Sequence, residues 1–136
     1  MSEGTISDDE VLYRRIPPGA PWFEPPDRIS SFNFKLRPEE FGISVYRARL
    51  VDAVGVLNKP GAIPGSRVAQ ATVRQIRAAQ DNKGNPLRLD VVPVSDENDP
   101  GHAEIRGAVL RQNPKSAAKA LRDLFRLTRS PAGDAP

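Results

Sequence analysis

Cysteine is absent from this chain of 136 residues, and histidine occurs only once, as His102. The lack of cysteine excludes disulfide bonds, thiolate metal sites and cysteine nucleophiles, and it fits a reducing compartment. The acidic N-terminus has no apolar run of the kind found in signal peptides. No apolar stretch is long enough to cross a bilayer. We therefore expect a cytoplasmic protein without a membrane segment.

Glycine-rich phosphate-binding motifs are also missing. The 10 glycines show neither the spacing of a P-loop nor that of a G-x-G-x-x-G fingerprint. The G-x-S-x-G elbow that presents the nucleophile in many serine hydrolases is absent as well. We therefore expect no cofactor, and no established catalytic motif marks the chain as an enzyme.

Apolar residues are moderately frequent, at 38%, whereas proline, with 14 residues, is abundant. This composition predicts a lean core, short elements and many turns, and the length fits one domain. We predict a disordered acidic tail over residues 1–10, a single α+β domain over residues 11–129, and a disordered tail over residues 130–136.

Runs of β-forming residues predict most of the sheet. Alternation is clearest in FNFKLR, where Phe32, Phe34 and Leu36 would face the core. The segment between residues 51 and 65 is expected to be mostly loop. The predicted strands are residues 11–16, 32–37, 43–50, 87–94 and 102–110.

Two segments carry helical signals. Residues 66–80 read either as one helix or as a strand followed by a short helix, and we favour the second reading. Residues 114–129 form the clearest helix, because Asn113 can cap it and Pro114 suits its first position. Its predicted apolar face comprises Ala117, Leu121, Leu124, Phe125 and Thr128. The fold class is therefore α+β, with a small mixed or antiparallel sheet and this amphipathic helix packed on it.

Basic residues recur along the far side of the C-terminal helix, and they are Lys115, Lys119, Arg122, Arg126 and Arg129. Such a stripe is either a solvated face or a surface for nucleic acid or an acidic protein partner. A second candidate contact is Trp22 in the proline-rich stretch 17–28, which either anchors that loop to the core or meets a partner.

His102 follows the acidic stretch DENDPG, so a metal site has to be considered. The stretch fails as an EF-hand loop because Pro100 takes the fifth ligand position and Gly107 the closing one. A lone histidine without cysteine also makes zinc a poor fit, so we expect no metal. A catalytic role would need a partner such as Ser30, Ser31, Ser44 or Ser95. The favoured reading of His102 is a residue that closes a turn or lies at the rim of a pocket.

Arg14 and Arg15 are adjacent in the first predicted strand, so one of them must point toward the core or a cleft. An inward arginine normally needs a carboxylate or an anionic ligand. We expect either a salt bridge to Glu39, Asp90 or Glu104, or a pocket for phosphate or carboxylate.

The motifs RRIPP, SSFNF, GIS and HAEIRG follow one another between about residue 11 and about residue 107. In this order they resemble a loosely defined set of short bacterial proteins of unknown function. The resemblance implies no activity, cofactor or catalytic set, and the basic C-terminal helix is not part of it.

A second similarity is to small ADP-ribosyltransferase-like toxins, which arrange an early Arg or His, a Ser-containing strand and a late acidic residue around NAD. Arg14, Ser44 and Glu104 occur in that order, and His102 completes the set of candidate catalytic residues.

The absence of a catalytic motif and the one-sided charge together favour a small non-catalytic interaction module within a larger bacterial assembly, with a protein partner. One alternative is a nucleic-acid-binding accessory protein that uses the basic helix. The other is a small ADP-ribosyltransferase-like enzyme acting on NAD or a phosphorylated ligand.

Overall fold

The computed structural model describes residues 6–24, 28–94, 97 and 99–128. They form an α+β fold in which short helices flank a six-stranded antiparallel sheet. The strands are β1 (Val11–Ile16), β2 (Phe23–Glu24), β3 (Arg28–Ile29), β4 (Ile43–Arg47), β5 (Arg67–Thr72), β6 (Asp90–Pro93), β7 (His102–Arg106) and β8 (Arg126–Leu127). The helices are α1 (Ala53–Leu57), α2 (Val73–Arg77), α3 (Val109–Gln112) and α4 (Pro114–Leu124).

The main sheet has the order β6-β7-β4-β1-β5-β8, and β2 pairs separately with β3. Every pairing found among the described residues is antiparallel, so the antiparallel alternative of the predicted sheet is the correct one. Pairing is most extensive between β1 and β5, where Val11 lies opposite Thr72 and Ile16 opposite Arg67. β1 is therefore a central strand, with β4 on one side and β5 on the other.

The principal core lies on one face of the sheet and includes Leu12, Val45 and Ile105, all completely buried. Helix α4 covers this face with Ala117 and Leu121, as its apolar periodicity predicts. A smaller cluster lies on the opposite face, where Ala53 and Val56 of α1 pack on Val68 of β5. The sheet is thus covered on both faces, with most of the apolar burial on the α4 side.

Helix α4 begins at Pro114, as predicted, but it ends at Leu124 rather than near residue 129. Phe125 is extended, with φ −80° and ψ 135°, and its ring stacks on Phe34 at a centroid distance of 5.0 Å. The chain then pairs with β5 as β8. Burial of Phe125 and completion of the sheet edge outweigh continuation of the helical periodicity.

Residues 32–37 do not form the predicted strand. Residues Ser31–Phe34 form a 3₁₀ helix that Ser30 caps by accepting a hydrogen bond from the Phe32 amide. Asn33 is buried because its side-chain amide donates to the carbonyls of Trp22 and Ser30, at 2.7 and 2.9 Å. A buried polar residue between two phenylalanines breaks the alternation that the sequence suggested.

Residues 51–65 are mostly loop, as predicted, but they also contain α1, which Asp52 caps by accepting the Gly55 amide at 2.8 Å. One further prediction is corrected. The strand predicted over residues 87–94 is shortened to β6, because Arg88 adopts a φ of 57° that an extended strand cannot contain. The division of residues 66–80 into a strand and a short helix is confirmed by β5 and α2.

Residues 6–10, which were predicted to belong to a disordered tail, are packed against the rest of the fold. Ile6 is 1% exposed and Glu10 is 8% exposed. Asp8 forms an ion pair with Arg77 at 2.7 Å. Residues 1–5, like the predicted C-terminal tail at 130–136, lie outside the described residues.

Candidate functional site

Strands β4 and β7 place four polar side chains on the sheet face opposite the principal core. Ser44 lies opposite Glu104, and Tyr46 lies opposite His102. Directly opposed residues of an antiparallel pair project to the same face. Gly42 permits the close approach of these strands, because a Cβ there would lie 2.7 Å from the Ile105 carbonyl oxygen.

A chain of polar contacts runs through His102. The Ser44 Oγ lies 2.7 Å from His102 Nε2, and His102 Nδ1 lies 3.6 Å from Asp99 Oδ2. The Lys59 ammonium holds the other Asp99 oxygen at 2.6 Å. We call Ser44, His102 and Asp99 the serine–histidine relay.

The turn before β7 sets the geometry of this relay. Gly101 has a φ of +85°, and a Cβ there would lie 2.6 Å from a methyl group of Val51. The tight turn brings Asp99 back beside His102, whose amide donates to the Asp99 carbonyl at 3.4 Å. Tyr46 covers the imidazole at a ring distance of 5.5 Å, and burial, followed by the Asp99 charge, raises the pKa of Tyr46.

Arg14 lies where β1 and β4 separate. These strands pair only at Leu12–Arg47 and Tyr13–Tyr46, so the backbone of Ser44 is not matched by a partner strand on that side. The Arg14 guanidinium takes that place and donates to the Ser44 carbonyl at 2.7 Å and to the Asn33 carbonyl at 2.6 Å. It therefore joins β4 to the 3₁₀ helix and lies next to the relay.

The charge of Arg14 is not neutralised by a direct ion pair. None of the ion pairs formed among the described residues includes Arg14, and its Nε is shielded from solvent without a hydrogen-bond partner. Burial lowers the pKa of Arg14 to about 10, and the charge of Glu40 opposes this shift. The salt bridge to Glu39, Asp90 or Glu104 anticipated from the sequence is not formed.

A cleft of about 620 Å³ opens beside Arg14, and Ser44 and Tyr46 form part of its wall. Four cationic side chains and one carboxylate line it, namely Arg14, Arg15, Lys35, Arg37 and Glu40. Arg15 donates to the carbonyls of Val56 and Lys59, both at 3.2 Å. Like Arg14, it takes part in none of the ion pairs found among the described residues. The cleft, which we call the arginine cleft, is therefore strongly electropositive.

Aromatic and aliphatic groups form the remaining wall of the arginine cleft. Trp22 and Phe32 meet edge to face at 6.2 Å, and Phe32 and Ile63 are about half exposed, at 45% and 46%. Trp22 is only partly buried, so it presents ring surface to the cleft as well as anchoring its loop. Apolar walls with a few convergent polar groups are characteristic of small-molecule sites.

The structure thus brings together three of the four candidate catalytic residues, Arg14, Ser44 and His102. Glu104 lies on the same sheet face, but its carboxylate pairs with Arg106 at 2.8 Å. Within the described part of the chain, no group of three or more potential metal ligands is found. Asp96, from the acidic stretch, lies outside that part.

The basic stripe of the sequence is divided in the structure. Lys115 and Lys119 are exposed on α4, whereas Arg126 belongs to β8 and Arg129 lies outside the described residues. Arg122 donates to Asp123 at 3.1 Å. The four described residues of the stripe do not line the arginine cleft, and Arg122 and Arg126 instead border a separate groove with Arg28.

Sequence reasoning missed several residues of the site. Lys35 and Arg37 were placed on the outer face of a predicted strand, because no sequence pattern indicated the 3₁₀ helix that precedes them. Asp99 belongs to the acidic stretch DENDPG, which was considered only as a metal site. Its position three residues before His102, across a Pro-Gly turn, could have suggested the contact between its carboxylate and the imidazole. No local pattern marks Asn33, whose position depends on the 3₁₀ helix.

Comparison with protein-family models, with curated proteins and with solved structures finds no match to this chain. The resemblance to short bacterial proteins therefore stays a prediction. Over the described residues, no helix combines the length and the apolar character that a membrane span requires.

Proposed function

We propose that this protein binds a small phosphorylated ligand in the arginine cleft, with Arg14 as the main anion-binding group. The observation that carries the proposal is the Arg14 guanidinium, which is desolvated, donates hydrogen bonds only to neutral carbonyl groups and retains an Nε without a hydrogen-bond partner. It shares the phosphorylated ligand, but not the catalytic activity, with the ADP-ribosyltransferase-like alternative drawn from the sequence.

The energetic argument rests on the cost of a shielded cation. Removing a charged group from water is unfavourable unless a counter-charge and hydrogen bonds compensate for it. Backbone carbonyls satisfy part of the Arg14 donor set but leave its net charge in place. A phosphate oxygen would supply the missing charge and accept from a guanidinium in favourable planar geometry.

The remaining walls fit a ligand that carries an aromatic or apolar part beside its phosphate. Trp22 and Phe32 offer ring surface, while Lys35 and Arg37 add positive charge. The volume of about 620 Å³ lies within the range of small-molecule sites. A nucleotide-like ligand combines these features.

The other two alternatives have less support. A nucleic-acid surface on the C-terminal helix would use a continuous basic stripe, but that stripe is divided between α4 and β8 and Arg122 is paired with Asp123. For a non-catalytic protein-binding module, nothing on the described surface indicates a specific partner.

Titration calorimetry with ADP, NAD and pyrophosphate tests the proposal. We expect at least one of these probes to bind, with an affinity that falls as salt rises. Arg14→Met should weaken binding about 10- to 100-fold, as expected for the loss of a charged hydrogen bond. Arg28→Met, which alters an exposed arginine outside the cleft, is the matched control and should bind normally.

Equal affinity in the Arg14→Met and Arg28→Met variants would exclude Arg14 as the anion-binding group. Absence of binding by the wild-type chain to all three probes would contradict the assignment of the cleft to phosphorylated ligands. Thermal melts of both variants establish that any loss of affinity is not a loss of folding.

A further inference from the structure

The serine–histidine relay touches the arginine cleft through Ser44, and this juxtaposition has a chemical consequence. Ser44 lines the cleft and its Oγ contacts His102 Nε2 at 2.7 Å. We propose that Ser44 is a nucleophile, that His102 is its general base, and that the chain hydrolyses a carboxylic ester that carries a phosphate group. The substrate class rests on the proposed function of the cleft.

The geometry of the relay matches the requirements of an activated serine. A serine hydroxyl is a weak nucleophile unless a base lies within hydrogen-bond distance, with a third group orienting that base. With the imidazole proton on Nδ1, His102 Nε2 is free to accept the Ser44 proton. Asp99 is the positioning residue, because its carboxylate faces Nδ1 at 3.6 Å, and such contacts are often long in unliganded sites.

Lys59 fixes the orienting carboxylate. Its ammonium contacts Asp99 Oδ1 at 2.6 Å and lies 5.1 Å from the centre of the Tyr46 ring. Tyr46 in turn lies against the His102 ring. The imidazole is therefore held from two sides, and only small motions of its ring are required to meet both Ser44 and Asp99.

The reaction needs only water as a second substrate. The Ser44 Oγ attacks the ester carbonyl carbon while His102 Nε2 takes the hydroxyl proton, and a tetrahedral intermediate forms. The carbon–oxygen bond to the alcohol then breaks, and His102 returns the proton to the departing alkoxide oxygen. Water, deprotonated by His102, attacks the acyl-Ser44 carbonyl carbon, the carbon–Oγ bond breaks to release the acid, and His102 returns its proton to the Ser44 Oγ.

The arginine cleft contributes binding and electrostatics to this reaction. Its cations would hold the phosphate group of the substrate and lower the energy of the oxyanion that develops near Ser44. The phosphate acts as a handle for orientation, so that the ester is held beside the nucleophile. The scissile bond is the carboxylic ester and not the phosphate ester.

An uncharged alkyl fluorophosphonate tests the activation of Ser44 without relying on recognition of an anion. We expect covalent labelling of the wild-type chain at Ser44, located by peptide mass spectrometry and absent from Ser44→Ala. His102→Ala should lower the labelling rate about 100-fold or more, the scale of general-base catalysis. Ser116→Ala, which removes a hydroxyl from α4, is the matched control and should label at the wild-type rate.

Two further measurements define the roles of Asp99 and of the cleft. Asp99→Asn should slow labelling, and Asp99→Glu should restore part of the rate, a rescue that a merely structural contact would not produce. Pyrophosphate should protect Ser44 in the wild-type chain but not in Arg14→Met. Melting curves show which variants are folded, and only folded variants are compared.

No labelling of Ser44, or an equal rate in folded His102→Ala, would refute the nucleophile assignment while leaving binding of pyrophosphate intact as a separate result. Labelling that pyrophosphate does not slow would refute the proposed substrate class. If neither labelling nor calorimetric binding occurs, both proposals fail. Labelling that depends on His102 and is protected by pyrophosphate supports the assignment.

Discussion

Arg47 on β4 and Arg14 on β1 both lie on the core-facing side of the sheet. The partners of their guanidinium groups differ. Arg47 is 5% exposed, and both its Nε and one terminal nitrogen donate to the Glu10 carboxylate at 2.8 Å. The Arg14 guanidinium donates only to backbone carbonyls and lies 5.7 Å from the centre of the Phe34 ring. The pairing of β1 with β4 includes Arg47, which lies opposite Leu12, but it ends at Tyr13, one residue before Arg14.

The contrast separates a structural cation from one that is available to a ligand. At Arg47 the charge is neutralised within the chain, and the pair fastens the segment before β1 to the sheet. At Arg14 the same residue type fills the opening between strands and leaves its charge for the arginine cleft. A shielded arginine therefore indicates a ligand site only where the chain itself supplies no carboxylate to neutralise it.

The largest expected effect comes from breaking the neutralised pair. Arg47→Met should lower the free energy of unfolding by about 3–5 kcal/mol, because it removes both charged hydrogen bonds of the buried Glu10 carboxylate and leaves it only the more distant Arg49, at 3.8 Å. Arg14→Met should cost less than about 1.5 kcal/mol, since the loss of two hydrogen bonds is offset by removal of a desolvated charge. Urea unfolding of both variants measures the difference. A larger loss for Arg14→Met would reverse the assignment of roles.

A smaller effect should follow from pH. The hydrogen bond and charge of Arg47 hold the pKa of Glu10 below its ordinary value, despite the opposing effect of burial. A carboxyl group whose pKa is depressed by folding stabilises the protein fully above its unfolded-state pKa, and this contribution is lost as pH falls through the folded-state value. Stability should therefore decline on acidification below the ordinary carboxyl range.

Unfolding measured at several acidic pH values, in the wild type and in Glu10→Gln, tests this expectation. Part of the acid sensitivity should remain in the variant, because Arg77 also depresses the pKa of Asp90. The wild type should nevertheless lose more stability than the variant over the same interval. Parallel curves would mean that Glu10 has the same pKa in the folded and unfolded chains.

Elements whose register is set by neighbouring residues were predictable from the sequence. The division of residues 66–80 into β5 and α2 and the start of α4 at Pro114 depend on local residues, and these elements occur where the pattern indicated. The strand predicted over residues 32–37 is wrong, because the Asn33 side chain is buried by a hydrogen bond to Trp22, 11 positions away. Alternation of apolar residues cannot reveal such a contact.

The candidate site shows the same division. The sequence indicated Arg14, Ser44 and His102 as candidate catalytic residues, but Ser44 and His102 are 58 positions apart in the chain. Their contact depends on the pairing of β4 with β7, which sequence spacing alone does not specify. The cleft also depends on the end of the pairing between β1 and β4 beside Arg14, and no residue in β1 predicts where that pairing ends.

The smallest expected effect concerns charges that are neither paired nor buried. Lys115 and Lys119 are exposed on α4, and Lys115 lies in its first turn, where a cation is disfavoured by the helix dipole. Reversing both to Glu should change the free energy of unfolding by no more than about 0.5 kcal/mol, with Lys83→Glu as a control in an exposed turn. A loss above 2 kcal/mol would show that these lysines serve the fold.

The same variants test the basic stripe in gel retardation with duplex DNA and RNA. If ligand recognition resides in the arginine cleft, neither the wild type nor the reversed chain should be retained. Retention of the wild type that falls steeply with salt, and loses about one unit of salt slope for each reversed phosphate contact, would instead assign the nucleic-acid-binding role to α4.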